Sequence, residues 1–114
     1  MAFSVASENL AVGAIAGAGT WISLHTADPG TTGASEVTGG TYARKQTTWA
    51  AASNSASTGS AVTVDVPAGT TITHWGISSA VTAGTFYYGG TLPAPETFGS
   101  NGTYSLTPTL SASD

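Results

Sequence analysis

Residues 61–66, AVTVDV, alternate apolar and polar side chains. In an extended chain this period of two puts Val62, Val64 and Val66 on one face and Thr63 and Asp65 on the other. The same alternation recurs in short stretches. TWISLHT (20–26) sets Ile22 and Leu24 against Trp21, Ser23 and His25, TFYYGGTL (85–92) groups Phe86, Tyr88 and Leu92, and TYSLTPTL (103–110) groups Tyr104, Leu106 and Leu110. TITHWGISS (71–79) and YARKQTTW (42–49) are further candidates, and turn-forming residues such as Pro67-Ala68-Gly69, Gly84 and Asn101-Gly102 separate the runs. About six or seven short strands at this spacing predict an all-β fold, an antiparallel β-sandwich of jelly-roll or immunoglobulin-like type. Pro108 cannot donate to a ladder, so it belongs at an edge or a bulge.

Only the N-terminal stretch reads otherwise. Ser7 is a candidate N-cap, and Leu10, Ala14 and Ile15 suggest the apolar stripe of one short N-terminal helix ending near Gly17 or Gly19. The expected organisation is a single domain over 1–114, with a helical segment at 1–19 and the β domain at 20–110. The small polar stretch 50–60, AAASNSASTGS, reads as a loop or a linker lying on another surface. No repeat of fibre-shaft type is visible in the sequence.

Composition narrows the function. Charged residues are 7% of the chain, with six acids against two bases and a net charge of −4. Phosphate binding needs clustered Lys and Arg, and Arg44 and Lys45 stand alone, so no nucleic-acid partner is expected. No apolar run approaches the length of a spanning helix, so no membrane partner is expected either. The N-terminus lacks the basic region of a secretory signal, and synthesis in the cytoplasm without export is expected. There is no Cys, which leaves packing, hydrogen bonds and association to provide stability. About three residues in ten are Ser or Thr, and a surface of such small side chains loses little entropy on contact, which suits permanent assembly.

Sites of chemistry are sparse. No G-x-S-x-G elbow accompanies the two His, and a catalytic zinc needs about three ligands with supporting groups. No enzyme activity, cofactor or metal is expected, and His25 reads as a strand-end His bonded to backbone or solvent. Asp28-Pro29-Gly30 is turn chemistry, with the Asp side chain capping and Gly accepting positive φ. ETFGSNGTY (96–104) has a superficial look of a calcium loop but lacks alternating acids. Asn101-Gly102-Thr103 fits a glycosylation acceptor and, better, a turn. The aromatic residues, Trp21, Trp49, Trp75, Phe86, Tyr87, Tyr88 and Tyr104, are mostly core. One of the Tyr87/Tyr88 pair should face outward, and Tyr87 is the candidate contact residue.

Three segments in order, SLHTADPGTTGASEVTGGTYARK, AVTVDVPAGTTITHWGISSAVTAGTFYYGG and ETFGSNGTYSLTPTL, resemble a family of small tailed-phage virion proteins common in phages of actinobacteria. Members are labelled tail fibre, minor tail or capsid accessory proteins, and the resemblance spans about Trp21 to Leu110. It implies a non-enzymatic virion protein assembled in the host cytoplasm. A compact domain without repeats suits capsid decoration, binding and stabilising the shell, with the major capsid protein as partner and a homo-oligomer, a trimer in the simplest geometry. A tail-tip or tail-fibre component is the alternative, and a carbohydrate-binding module the reading from another class. The expected interface residues are Asp28 and Glu36 in a surface loop over 28–40, Arg44 and Lys45 at its base, and Tyr87. Arg44 would pair with an acid of a neighbouring chain; an intrachain pair or a solvated side chain is the other reading.

Overall fold

A computed structural model describes residues 3–112. Helix α1 covers Val5–Ala18, and eight strands follow: β1 Trp21–His25, β2 Lys45–Gln46, β3 Ala56–Thr58, β4 Val62–Val66, β5 Thr70–Ser78, β6 Phe86–Phe98, β7 Gly102–Leu106 and β8 Thr109–Ser111. All pairings are antiparallel. One sheet has the order β2-β1-β5-β6, and the ribbons β3-β8 and β4-β7 complete the β layers. The fold is the expected all-β sandwich with one short N-terminal helix.

The valines of β4 are the clearest match between pattern and structure. Val62, Val64 and Val66 are buried, Thr63 is exposed and Asp65 half-buried. They join Ile22, Leu24, Ile72, Trp75, Ile77, Leu92, Phe98 and Leu110 in one core cluster. The turn at Pro67-Ala68-Gly69 forms with Gly69 at φ +79°, and the Asn101 side chain accepts from the Ala68 N–H at 2.9 Å. The chain bends at 99–101 and Gly102 already opens β7, so Asn101-Gly102 is not the turn of a hairpin, and β6 and β7 do not pair with one another.

Several local expectations change. The N-cap is Ser4, whose side chain accepts from the Ser7 N–H, so Ser7 lies within the first turn. Leu10 is 76% exposed, and the inward line is Glu8, Val12 and Ile15 instead. The helix is apolar nearly all round, so its sequence does not choose a face; the fastening does. The Trp49 indole donates to the Gly19 carbonyl at the helix end, and the Asn9 side chain accepts from the Ser55 N–H.

The strand over 42–49 shrinks to Lys45–Gln46, and the stretch 50–60 contains strand β3, which pairs with β8. Pro108 is buried between β7 and β8, its carbonyl accepting from the Gly59 N–H, and there the chain leaves one ribbon for the other. Strand β6 runs through Pro93 and Pro95 because the register jumps from His74↔Thr91 to Ile72↔Glu96, leaving 92–95 outside the ladder, where a missing N–H costs nothing. A second irregularity pairs Phe86 with Ser78 and Tyr88 with Ile77. Ser78 and Ile77 point to opposite faces, so Phe86 and Tyr88 do not share a face as the simple alternation implies. Phe86 meets His25 edge-on at 6.0 Å, and Tyr88 packs on Trp75 at 5.6 Å.

Candidate interface site

Strand β1 is buried on both faces, Ser23 and His25 included. What covers the second face is the long segment between β1 and β2. Pro29 is fully buried, and a Cβ added to Gly89 would come within 2.6 Å of the Pro29 ring, so the bare glycine backbone admits the proline. Gly33, at φ +78°, lies against the Phe86 ring. The loop is therefore anchored rather than free: Pro29 and Val37 are buried and Gly33 and Glu36 half-buried, while Asp28, Gly30–Thr32, Ala34, Ser35 and Thr38–Thr41 are exposed.

Backbone bonds stitch this lid to the strand end. Thr26 N–H donates to the Ser35 carbonyl and Val37 N–H to the Leu24 carbonyl, with His25 and Glu36 in an antiparallel bridge. His25 adds side-chain bonds. Its Nδ1 lies 2.8 Å from the Ala34 carbonyl oxygen, which can only accept, so Nδ1 carries the proton and Nε2 accepts from the Ser23 hydroxyl at 2.8 Å. Burial pushes the His25 pKa below 6.5, favouring this neutral form. His25 is a bonded structural histidine, as its sequence context suggests. Asp28 caps the turn as expected, its carboxylate accepting from the Gly30 N–H at 2.9 Å, with Gly30 at φ +60°.

The loop closes on Glu36, Tyr42 and Arg44. Arg44 grips Glu36 with two bonds, Nε to Oε2 at 2.9 Å and Nη2 to Oε1 at 2.8 Å. Its Nη1 donates to the carbonyls of Ala80 and Ala83 at 2.9 and 2.8 Å, which ties the loop to the turn between β5 and β6. Tyr42 donates to Glu36 Oε2 at 2.6 Å and accepts from the Leu24 N–H at 3.1 Å. Arg44 and Glu36 are only 12% and 22% exposed. Burial alone would raise the Glu36 pKa, but the bonds from Arg44 and Tyr42 outweigh it and hold the carboxylate below its ordinary value. The Glu36 bonds raise the Arg44 pKa, while burial first and Glu36 second push the Tyr42 phenol well up.

Of the five expected contact residues, the structure brings Glu36 and Arg44 together and leaves the others apart. Arg44 has the intrachain pair of the two readings. Lys45 sits half-buried in β2 opposite Ile22. Tyr87 is 39% exposed and leans over Gly19 at the helix end. Tyr42 was missed, though a signal existed: residues 42 and 44 of an extended segment share a face. Nothing in the sequence marks the carbonyls of Ala80 and Ala83. Glu36, Arg44, Tyr42 and the turn residues Val81–Ala83 border an open cleft of about 330 Å³. Among the described residues, no group of three or more His, Asp or Glu side chains is placed to hold a metal ion, and no helix is long and apolar enough to cross a membrane.

A family model described as Podophage GP4 fiber I protein gp80 matches residues 10–110. The chain belongs to this family. The match runs from within α1 through Leu110 of β8, including the lid, the Glu36–Arg44 pair and the 79–85 turn, and makes the chain a phage virion protein of fibre type. Membership in the podophage fibre family points to a structural, non-enzymatic role. No curated protein matches the chain.

Proposed function

We propose that this protein is a structural component of a phage tail fibre or of the fibre's attachment to the tail, binding other virion proteins and acting without catalysis. The observation that carries the reading is the fibre family match over residues 10–110. It favours the tail-fibre alternative over capsid decoration, to which compactness alone had pointed. The geometry supports it in a second way. Arg44 fixes two exposed segments, the 36–44 end of the loop and the 79–85 turn, into one surface whose contour does not depend on a partner.

That surface is rich in Thr, Gly and Ala, carries little free charge, and borders the exposed Val81. Preorganised, low-entropy surfaces lose less on binding than mobile charged ones. The partners proposed are other virion proteins and further copies of this chain, in a closed oligomer such as a trimer. Arg44 contributes by holding the surface.

The test is labelling in purified virions with an antibody to the chain, viewed by negative-stain microscopy. Label at the tail is expected. Label distributed over the head would restore capsid decoration and reject the fibre reading.

A further inference from the structure

Helix α1 holds one charged residue, Glu8, and the fold turns it inward. Its side chain is only 5% exposed. One carboxylate oxygen, Oε1, accepts from the Ser55 hydroxyl at 2.5 Å; the other, Oε2, is buried with no hydrogen-bond partner. The arrangement is built. Ser55 and Asn54 take positive φ, 66° and 51°, and Ser55 gives its N–H to Asn9 and its hydroxyl to Glu8.

Burying a carboxylate and leaving an oxygen unbonded is strongly unfavourable, and a serine contact offsets only part of that. Glu8 is also a wall of a cavity of about 210 Å³ whose other walls, Phe3, Ser7, Ala11 and Ala112, are mainly apolar. Phe3, in the cavity wall, is 69% exposed and leaves apolar surface at its edge. A narrow apolar cavity with an acid in its wall and apolar surface outside matches a lysine side chain, whose four-carbon stem buries while its ammonium finds the carboxylate.

We propose that this cavity is an anchoring site for a lysine of a different virion protein. It rests on the reading of the chain as a virion component. A second copy of the chain is a poor donor: of its two basic residues, Arg44 is fully engaged by Glu36, Ala80 and Ala83, which leaves Lys45, half-buried in β2. With six acids, two bases and net charge −4, the complementary charge has to come from elsewhere.

The experiment counts copies per virion by quantitative mass spectrometry, for phage carrying the wild-type chain, Glu8→Gln or Ala11→Leu. Glu8→Gln keeps the shape and removes the charge; Ala11→Leu fills the cavity from an exposed position and leaves Glu8 in place. The expected result is a loss of at least tenfold in incorporation for both, with the isolated Glu8→Gln chain melting no lower than wild type because an uncompensated buried charge is gone. Normal incorporation of either variant overturns the proposal, as does a Glu8→Gln chain whose melting and incorporation fall together. Sedimentation of the isolated chains should show self-association unaffected by Glu8→Gln; its loss would identify the occupant as a second copy and overturn the choice of partner. Wild-type chain absent from the tail would reject the fibre reading instead, a separate outcome.

Discussion

Replacing Arg44 by Ala removes the two bonds to Glu36 and the two to the carbonyls of Ala80 and Ala83. Glu36 is then left in a part-buried position with Tyr42 alone. Breaking a fully buried pair costs about 3–5 kcal/mol, and an exposed pair is worth under about 1. At 12% and 22% exposure, water regains partial access to the stranded groups, so a loss of about 2–4 kcal/mol is expected. Unfolding entropy near 2.1 cal/mol/K per residue gives about 0.24 kcal/mol/K for a chain of this length, and the expected fall in Tm is roughly 8–16 °C. Arg44→Lys should recover little of it, because an ammonium cannot hold a carboxylate and two carbonyls in one plane. Thermal melting by circular dichroism at about 0.15 and 0.5 M salt checks this, and the difference from wild type should persist at the higher salt, since screening acts mainly on exposed pairs. A fall of less than about 4 °C, or one that disappears in salt, would show that the pair behaves as a surface contact and that the loop is not held by it.

Tyr42→Phe leaves the ring and removes the hydroxyl that bridges the Leu24 N–H to Glu36; a loss of about 1–3 kcal/mol in denaturant melts is expected. His25 is held below 6.5 by burial, so the unfolded chain binds the proton first. Its stabilising contribution is complete above 6.5 and falls as pH drops toward the lower folded value, and wild type should lose stability over that window relative to His25→Gln in pH-dependent melts. Glu36 is also depressed, so the stability it contributes is present above the unfolded carboxylate pKa and lost as pH falls through the folded one; the gap between wild type and Glu36→Gln should close at acid pH. Gly76→Ala would place a Cβ within 2.7–2.9 Å of Phe86, Ser23 and His25, and overpacking of this kind should cost about 1–3 kcal/mol in the same melts.

Much of the sandwich was legible because burial on one face writes a period of two into the sequence, as in Val62, Val64 and Val66. Where both faces are covered the signal weakens. Ser23 and His25 look outward by alternation, yet the lid carrying Pro29 buries them. Register irregularities are equally silent: nothing in TFYYGGTL announces that Phe86 and Tyr88 part to opposite faces, or that β6 continues past Pro93 and Pro95. The helix face was unreadable because apolar residues surround the axis and the decision rests on distant partners, Ser55 and Trp49. The contact site was half legible. Glu36 and Arg44 could be singled out by the scarcity of charge, but their pairing spans eight residues of loop, where no periodicity applies.

The account's central claim, that this chain is a structural part of the phage fibre apparatus, is tested most directly by a cryo-electron microscopy reconstruction of purified virions. A body about 45 by 24 by 21 Å, one sandwich with a single helix at its side, should fit density at the tail, in contact with other virion proteins. The same body found only on the capsid shell, or in no part of the virion, would contradict the claim.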